Sequence, residues 1–239
     1  MEFNPSKCNV IRIASSKYMP VLQTSYKLHD QTLKVTASSK YLGVTISQDL
    51  SWQDHIQALA SKGNRSLGFL WHNFRECTTS VKAATYTTMV RPVIEFAFTV
   101  WDPTCESETA ELEKVQRRAA RYVFNSYTDR TPGFVTRMRN TLKWEPLADQ
   151  RTQSRLTMLY KINSGIVDID TSPYYSRGDE RTRGSQRLFQ QRITYPLLLN
   201  SFFPRTMRQW NKLPSRLTDA PSLEVFKAGL SLSTGPAAL

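Results

Sequence analysis

Apolar positions change their spacing once along this chain, near Ser51. Residues 8 to 47 read as strands: "CNVIRI" is rich in β-branched residues, and "YKLHDQTLKV" alternates on either side of Asp30-Gln31, which predicts a hairpin turn there. "KYLGVTIS" is a third strand candidate, with Leu42, Val44 and Ile46 clustered apolar. From Ser51 the spacing becomes helical. Ile56, Leu59, Ala60, Gly63, Leu67, Leu70, Trp71 and Phe74 recur at three and four, which predicts a long amphipathic helix from Trp52 with Ser51 as its cap.

A second helix is expected from Ser80 to Trp101, kinked at Pro92, because proline lacks the backbone donor and clashes with the preceding turn. "DPTCESE" breaks it. A third helix follows, with Glu106, Glu108 and Glu111 near its start, where acids suit the positive end of the dipole. A fourth is expected from Pro146, a good first-turn residue, to Gly165, a good terminator. Residues 166 to 200 look irregular, with "YSRGDERTRGSQR" as an Arg- and Gly-rich loop or arm. Short helices are expected near 205–211 and 222–231. The fold class read from this order is α+β: a short N-terminal β segment, a mostly helical bundle and an irregular or helical C-terminal extension.

Charge then singles out the third helix. In "LEKVQRRAARYVFN", Leu112, Val115, Ala119 and Tyr122 fall on one face at ~100° per residue. Lys114, Arg117, Arg118 and Arg121 fall on another, as a cationic ridge ~10 Å long at ~1.5 Å per residue. More cations follow: Arg130, Arg137, Arg139, Lys143, Arg151 and Arg155. With 32 Lys and Arg against 20 Asp and Glu, the chain carries +12, a footprint expected of a nucleic-acid binder. A solvated helix face without a partner is the competing reading. Tyr122, Phe124 and Tyr127 are candidates for base stacking, with core packing favoured for Tyr122.

Other chemistry finds little footing. Cys8, Cys77 and Cys105, with His29, His55 and His72, do not form ligand spacings, so no metal site is expected. Asp168 and Asp170 read as exposed turn acids. The chain contains no Gly-x-Ser-x-Gly, P-loop, Cys/His signature or adjacent Asp-Asp pair. The three sparse cysteines favour a reducing compartment, and "MEFNPSKCNV" does not read as a signal peptide. An intracellular location is expected, with no membrane partner, since "VIEFAFTVW" is short and contains Glu95.

Several segments together resemble one family. "FNPSKC" at 3–8, "KYLGV" at 40–44, "LSWQDHI" at 50–56, "VRPVIEFAFTVW" at 90–101 and "LEKVQRRAARYV" at 112–123 are similar, in this order, to the C-terminal part of non-LTR, jockey-like retrotransposon reverse transcriptases. "FFPRTMRQWNKLP" at 202–214 and "SLEVFK" at 222–227 resemble the tail of the same polyproteins.

The resemblance implies the end of a polymerase palm over 1–50, a thumb-like helical domain over 51–165 and a C-terminal extension over 166–239. It implies that the chain begins just after the metal-binding hairpin, so that magnesium, the family's cofactor, has no site here and the chain alone is inactive. Asn4 and Lys7 match the last palm motif, where the family places a lysine near the triphosphate. Lys40, Tyr41, Leu42 and Gly43 match a primer-grip-like segment, and Gly43 would allow close backbone approach. The implied partners are an RNA–DNA hybrid, held by its phosphates, and the rest of the palm and fingers. Two alternatives stay open: a stand-alone nucleic-acid-binding protein, and a functionless remnant whose first helix exposes its apolar stripe for want of palm partners.

Overall fold

In the computed structural model, residues 3–13, 24–178, 187–190 and 196–234 are described. The class is α+β, with short strands at the N-terminal end and helices over most of the rest. Part of the expected arm, residues 179–186, lies outside the described residues.

The N-terminal strands are short and pair locally. β1 (Asn9–Val10) lies parallel to β4 (Lys34–Val35), and β2 (Lys27–Leu28) forms a hairpin with β3 (Gln31–Thr32). Its turn is His29-Asp30, one residue earlier than the alternation suggests; both have positive φ, +48° and +60°, as a tight hairpin of this hand requires. "KYLGVTIS" is two strands, β5 (Ser38–Tyr41) and β6 (Val44–Ser47), paired antiparallel with Tyr41 opposite Val44. Leu42 and Gly43 make the turn, with φ of +46° and +92°.

The helical region starts one residue later than expected. α1 (Gln53–Phe74) has Trp52, not Ser51, in the cap position, and the Ser51 hydroxyl just before it accepts the Gln53 N–H at 3.2 Å. Its stripe is buried by the chain itself: Ile56 and Leu70 are 1% and 0% exposed. The stripe therefore has partners within the chain. Trp71, placed on that stripe by spacing, instead faces outward at 38% exposure.

The expected 80–101 helix is three pieces. α2 (Thr79–Thr85) passes into a π-helical turn, Tyr86–Val90, then into α3 (Arg91–Glu95). Proline explains the division. In the π turn the Arg91 N–H bonds back to the Tyr86 carbonyl, and Pro92 then sits within the first two positions of α3, where a missing donor costs little. Ala97, at φ +58°, stops the helix, and the Trp101 indole closes the following turn by donating to the Phe96 carbonyl at 2.8 Å.

α4 (Glu106–Phe124) has Glu106 and Glu108 in its first turn and ends on Asn125 in the left-handed conformation. Leu112, Val115, Ala119 and Tyr122 are buried as expected, and Gln116, Ala120 and Val123 widen that face. α5 (Phe134–Thr141) has no counterpart in the sequence reading. α6 (Leu147–Asn163) ends just before Gly165, at φ +71°.

Within 166–200, β7 (Tyr175–Arg177) and β8 (Leu188–Gln190) pair antiparallel, so this stretch is not wholly irregular. α7 (Phe202–Trp210), α8 (Ser215–Thr218) and α9 (Leu223–Thr234) complete the chain.

Two apolar clusters organise these elements. The first gathers α1, the π turn, α3, α4 and Trp144. The second joins Leu156, Leu159 and Tyr160 of α6 to Tyr175, Leu188, Met207, Trp210 and Phe226. Each fully buried Leu, Ile or Phe contributes ~1.5–3 kcal/mol of transfer free energy.

Candidate nucleic-acid interface

α1 and α4 lie side by side and run the same way. Gln53 and Cys105 share one end of the groove between them, and further along Gly63 packs on Val115. That packing fixes which side of α4 faces outward. Lys114, Arg117 and Arg118 are exposed and Arg121 is half-buried, so the ridge is a surface feature. Arg118 donates to Asn64 Oδ1 at 2.8 Å, across the seam to α1. Arg121 donates to the Ser126 carbonyl at 3.1 Å, beyond the helix end, and Arg117 to the Glu113 carbonyl of its own helix at 3.4 Å. Lys114 pairs with Glu111. Among the described residues, Arg117, Arg118 and Arg121 enter no ion pair, so their charge is available to a ligand.

Near the C-terminal half of this seam stand Trp71, which spacing placed on the buried stripe, and Arg75, which the sequence reading did not single out. Arg75 lies over the Trp71 ring, 5.6 Å from its centroid. Tyr127, 49% exposed, completes the group: burial raises its hydroxyl, and a hydrogen bond with Trp71 opposes that rise. Exposed aromatic faces beside guanidinium groups are the composition that stacks bases and neutralises phosphates. The outward turn of Trp71 follows from the helical wheel: it lies ~100° beyond the fully buried Leu70.

Not every expected cation belongs to this surface. Arg139 pairs with Glu113 at 3.6 Å, and Arg151 and Arg155 are buried against Asp102. Their charge is spent inside the molecule, so the basic surface is narrower than the count over 112–155 suggests. Arg130, Arg137 and Lys143 are exposed.

Lys40, Tyr41 and Gly43 sit at the tip of the β5–β6 hairpin, and all three are exposed. Gly43 approaches Phe96 closely: a Cβ there would lie 3.0 Å from the ring. The hairpin is anchored to α1 by the Thr45 N–H, which donates to His55 Nδ1 at 3.2 Å. His55 and Asn64 are nine residues apart, ~14 Å along the axis and about half a turn around it. The hairpin and the ridge therefore attach to opposite sides of α1. Lys7 lies exposed at the end of a short 3-10 turn, Pro5–Lys7.

Among the described residues no group of three or more His, Cys, Asp or Glu is placed to hold a metal ion. No helix among them is long and apolar enough to cross a membrane. Hydrogen bonds from the Ser172 hydroxyl and from its N–H, at 3.0 Å, hold the Asp170 carboxyl below the usual range. No family model, curated protein or solved structure matches the chain.

Proposed function

We propose that this chain binds nucleic acid through phosphate contacts, with the exposed face of α4 as the gripping surface. The observation that carries the proposal is the set of three arginines, Arg117, Arg118 and Arg121, outside every ion pair among the described residues. Guanidinium forks match phosphate oxygens, and a rigid helix packed on α1 holds them at fixed spacing. The motifs at 3–8, 40–44, 50–56, 90–101 and 112–123 support placing it with the C-terminal part of non-LTR retrotransposon reverse transcriptases. In that reading the helices act as a thumb on an RNA–DNA hybrid, which is recognised by shape and backbone rather than base sequence.

The chain does not polymerise by itself, because it has no adjacent Asp-Asp pair to hold the catalytic ions that stabilise phosphoryl transfer. Purified protein with primed template and magnesium should give no extension product; robust extension overturns this part. The binding claim is tested by replacing Arg117, Arg118 and Arg121 together with Glu. Hybrid affinity should fall at least about tenfold while helicity is unchanged. Equal affinity would remove the ridge from the account.

A further inference from the structure

A second cationic centre lies inside the molecule, at the join of the 101–104 segment, α6 and α7. Three guanidiniums converge there on the single carboxylate of Asp102. Arg151 reaches it at 2.8 Å, Arg205 at 3.2 Å, and Arg155 by direct contact. Arg151 and Arg155 are each 2% exposed at the side chain, and Asp102 is 9% exposed. Arg151 also has Glu113 and Asp149 in its field, whereas Arg155 and Arg205, besides pairing with Asp102, each lie in the field of a further arginine. Burial and Arg205 push Arg155 down to about 9, so its guanidinium stays protonated at neutral pH against an electrostatic penalty. Asp102 is the carboxylate in direct contact with all three guanidiniums.

The polar inventory is also incomplete. Arg155 Nε and Arg151 Nη1 are buried without a hydrogen-bond partner, an expensive state for guanidinium donors. Arg155, Arg205 and Asp102 line a cavity of about 280 Å³. Its wall also carries Ser201 and Phe202 at the entry to α7, where the Ser201 N–H donates to the Leu198 carbonyl at 3.0 Å and Phe202 is the first helical residue, whose N–H has no intrahelical partner. Trp52 and Val100 make the opposite chemistry, an apolar and aromatic lining. The volume excludes a duplex, so this is not an extension of the α4 ridge.

From this geometry we infer that the cavity is a binding site for a phosphomonoester with a small apolar or aromatic body. Its phosphate oxygens would accept from the unpartnered Arg155 Nε and the Phe202 N–H, beside the Arg205 guanidinium that the Asp102 and Pro103 carbonyls hold in place, and its body would lie against Trp52 and Val100. The ligand's negative charge would sit beside Arg155 and Arg205, the two arginines that line the cavity.

The test is calorimetric titration of the whole chain with adenosine monophosphate, inorganic phosphate and adenosine. The monophosphate should bind saturably at one site, inorganic phosphate more weakly and adenosine not at all. Arg205→Met, and separately Thr104→Trp, a bulky change at a lining residue outside the Asp102 ion pairs, should each weaken monophosphate binding at least tenfold. The triple Glu variant of Arg117, Arg118 and Arg121 should keep it, which separates this site from the ridge. Absence of monophosphate binding, binding that survives Thr104→Trp, or equal binding of adenosine would each overturn the inference. If Arg205→Met fails to fold, Thr104→Trp decides alone.

Discussion

The Thr45 backbone N–H donates to Nδ1 of His55 at 3.2 Å, so a single imidazole ties β6 to the first turn of α1. Nδ1 must be unprotonated to accept, which puts the proton on Nε2, a buried atom without a partner. Burial holds the His55 pKa below its ordinary 6.5, and Lys40 pushes the same way. Below that pH the unfolded chain takes up a proton that the folded chain refuses, so this contribution is full above about 6.5 and is lost as pH falls. Urea midpoints should be lower at pH 5.5 than at 7.5, and His55→Gln should shrink the difference. An undiminished pH dependence in that variant would remove His55 as its source.

Two glycines of α1 should respond oppositely to the same change. A Cβ on Gly63 would lie 3.1 Å from both Ile94 Cγ2 and Val115 Cγ1, at the seam with α4. A Cβ on Gly68 would meet nothing within 4 Å. Gly68→Ala should stabilise the chain by about 0.5–1 kcal/mol through helix propensity alone. Gly63→Ala gains the same propensity but should lose about 1–3 kcal/mol to overpacking. Thermal melts of both variants check this; a rise for Gly63→Ala would show that the seam yields.

Removing the Asp102 carboxylate leaves Arg151 and Arg155 buried without it. Asp102→Ala should therefore cost about 3–5 kcal/mol, the range for breaking one partner out of a buried ionic group. Denaturant unfolding measures it, and a loss under 1 kcal/mol would contradict the tight packing of this cluster.

The second apolar cluster can be probed at Tyr160, whose hydroxyl donates to the Ala220 carbonyl at 2.8 Å while its ring stacks on Phe226 at 4.5 Å. Tyr160→Phe keeps the stack and leaves the carbonyl unpaired, so stability should fall by about 1–2 kcal/mol. Hybrid binding should not change, because the residue is remote from α4 in sequence and lies in the other cluster.

The legible parts were the long, periodic ones. α1 and α4 announce themselves because their buried faces repeat at the helical period over many turns, and the acids opening α4 mark its start, whereas α6 was legible from Pro146 and Gly165 at its two ends. α5 has only eight residues, too few for periodicity to stand out. The β5–β6 hairpin is concealed by Leu42, an unusual residue for a left-handed turn position, so "KYLGVTIS" reads as continuous. Arg151, Arg155 and Arg205 meet an acid 49 to 103 residues away, and no local pattern marks that meeting. The ridge was visible because it is local to one helix. Trp71 and Arg75 joined the candidate surface only when α1 was seen packed beside α4.

The central claim is that α4 holds nucleic acid by its phosphates. Fluorescence anisotropy of a labelled RNA–DNA hybrid, measured across a salt series, addresses it directly. Four cations engaging four phosphates predict a log–log slope of about −3 to −4, independent of hybrid sequence and lowered by about three in the Arg117, Arg118 and Arg121 to Glu variant. Absence of binding at low salt, or an unchanged slope in that variant, would make "LEKVQRRAARYVFN" a solvated helix face and contradict the account.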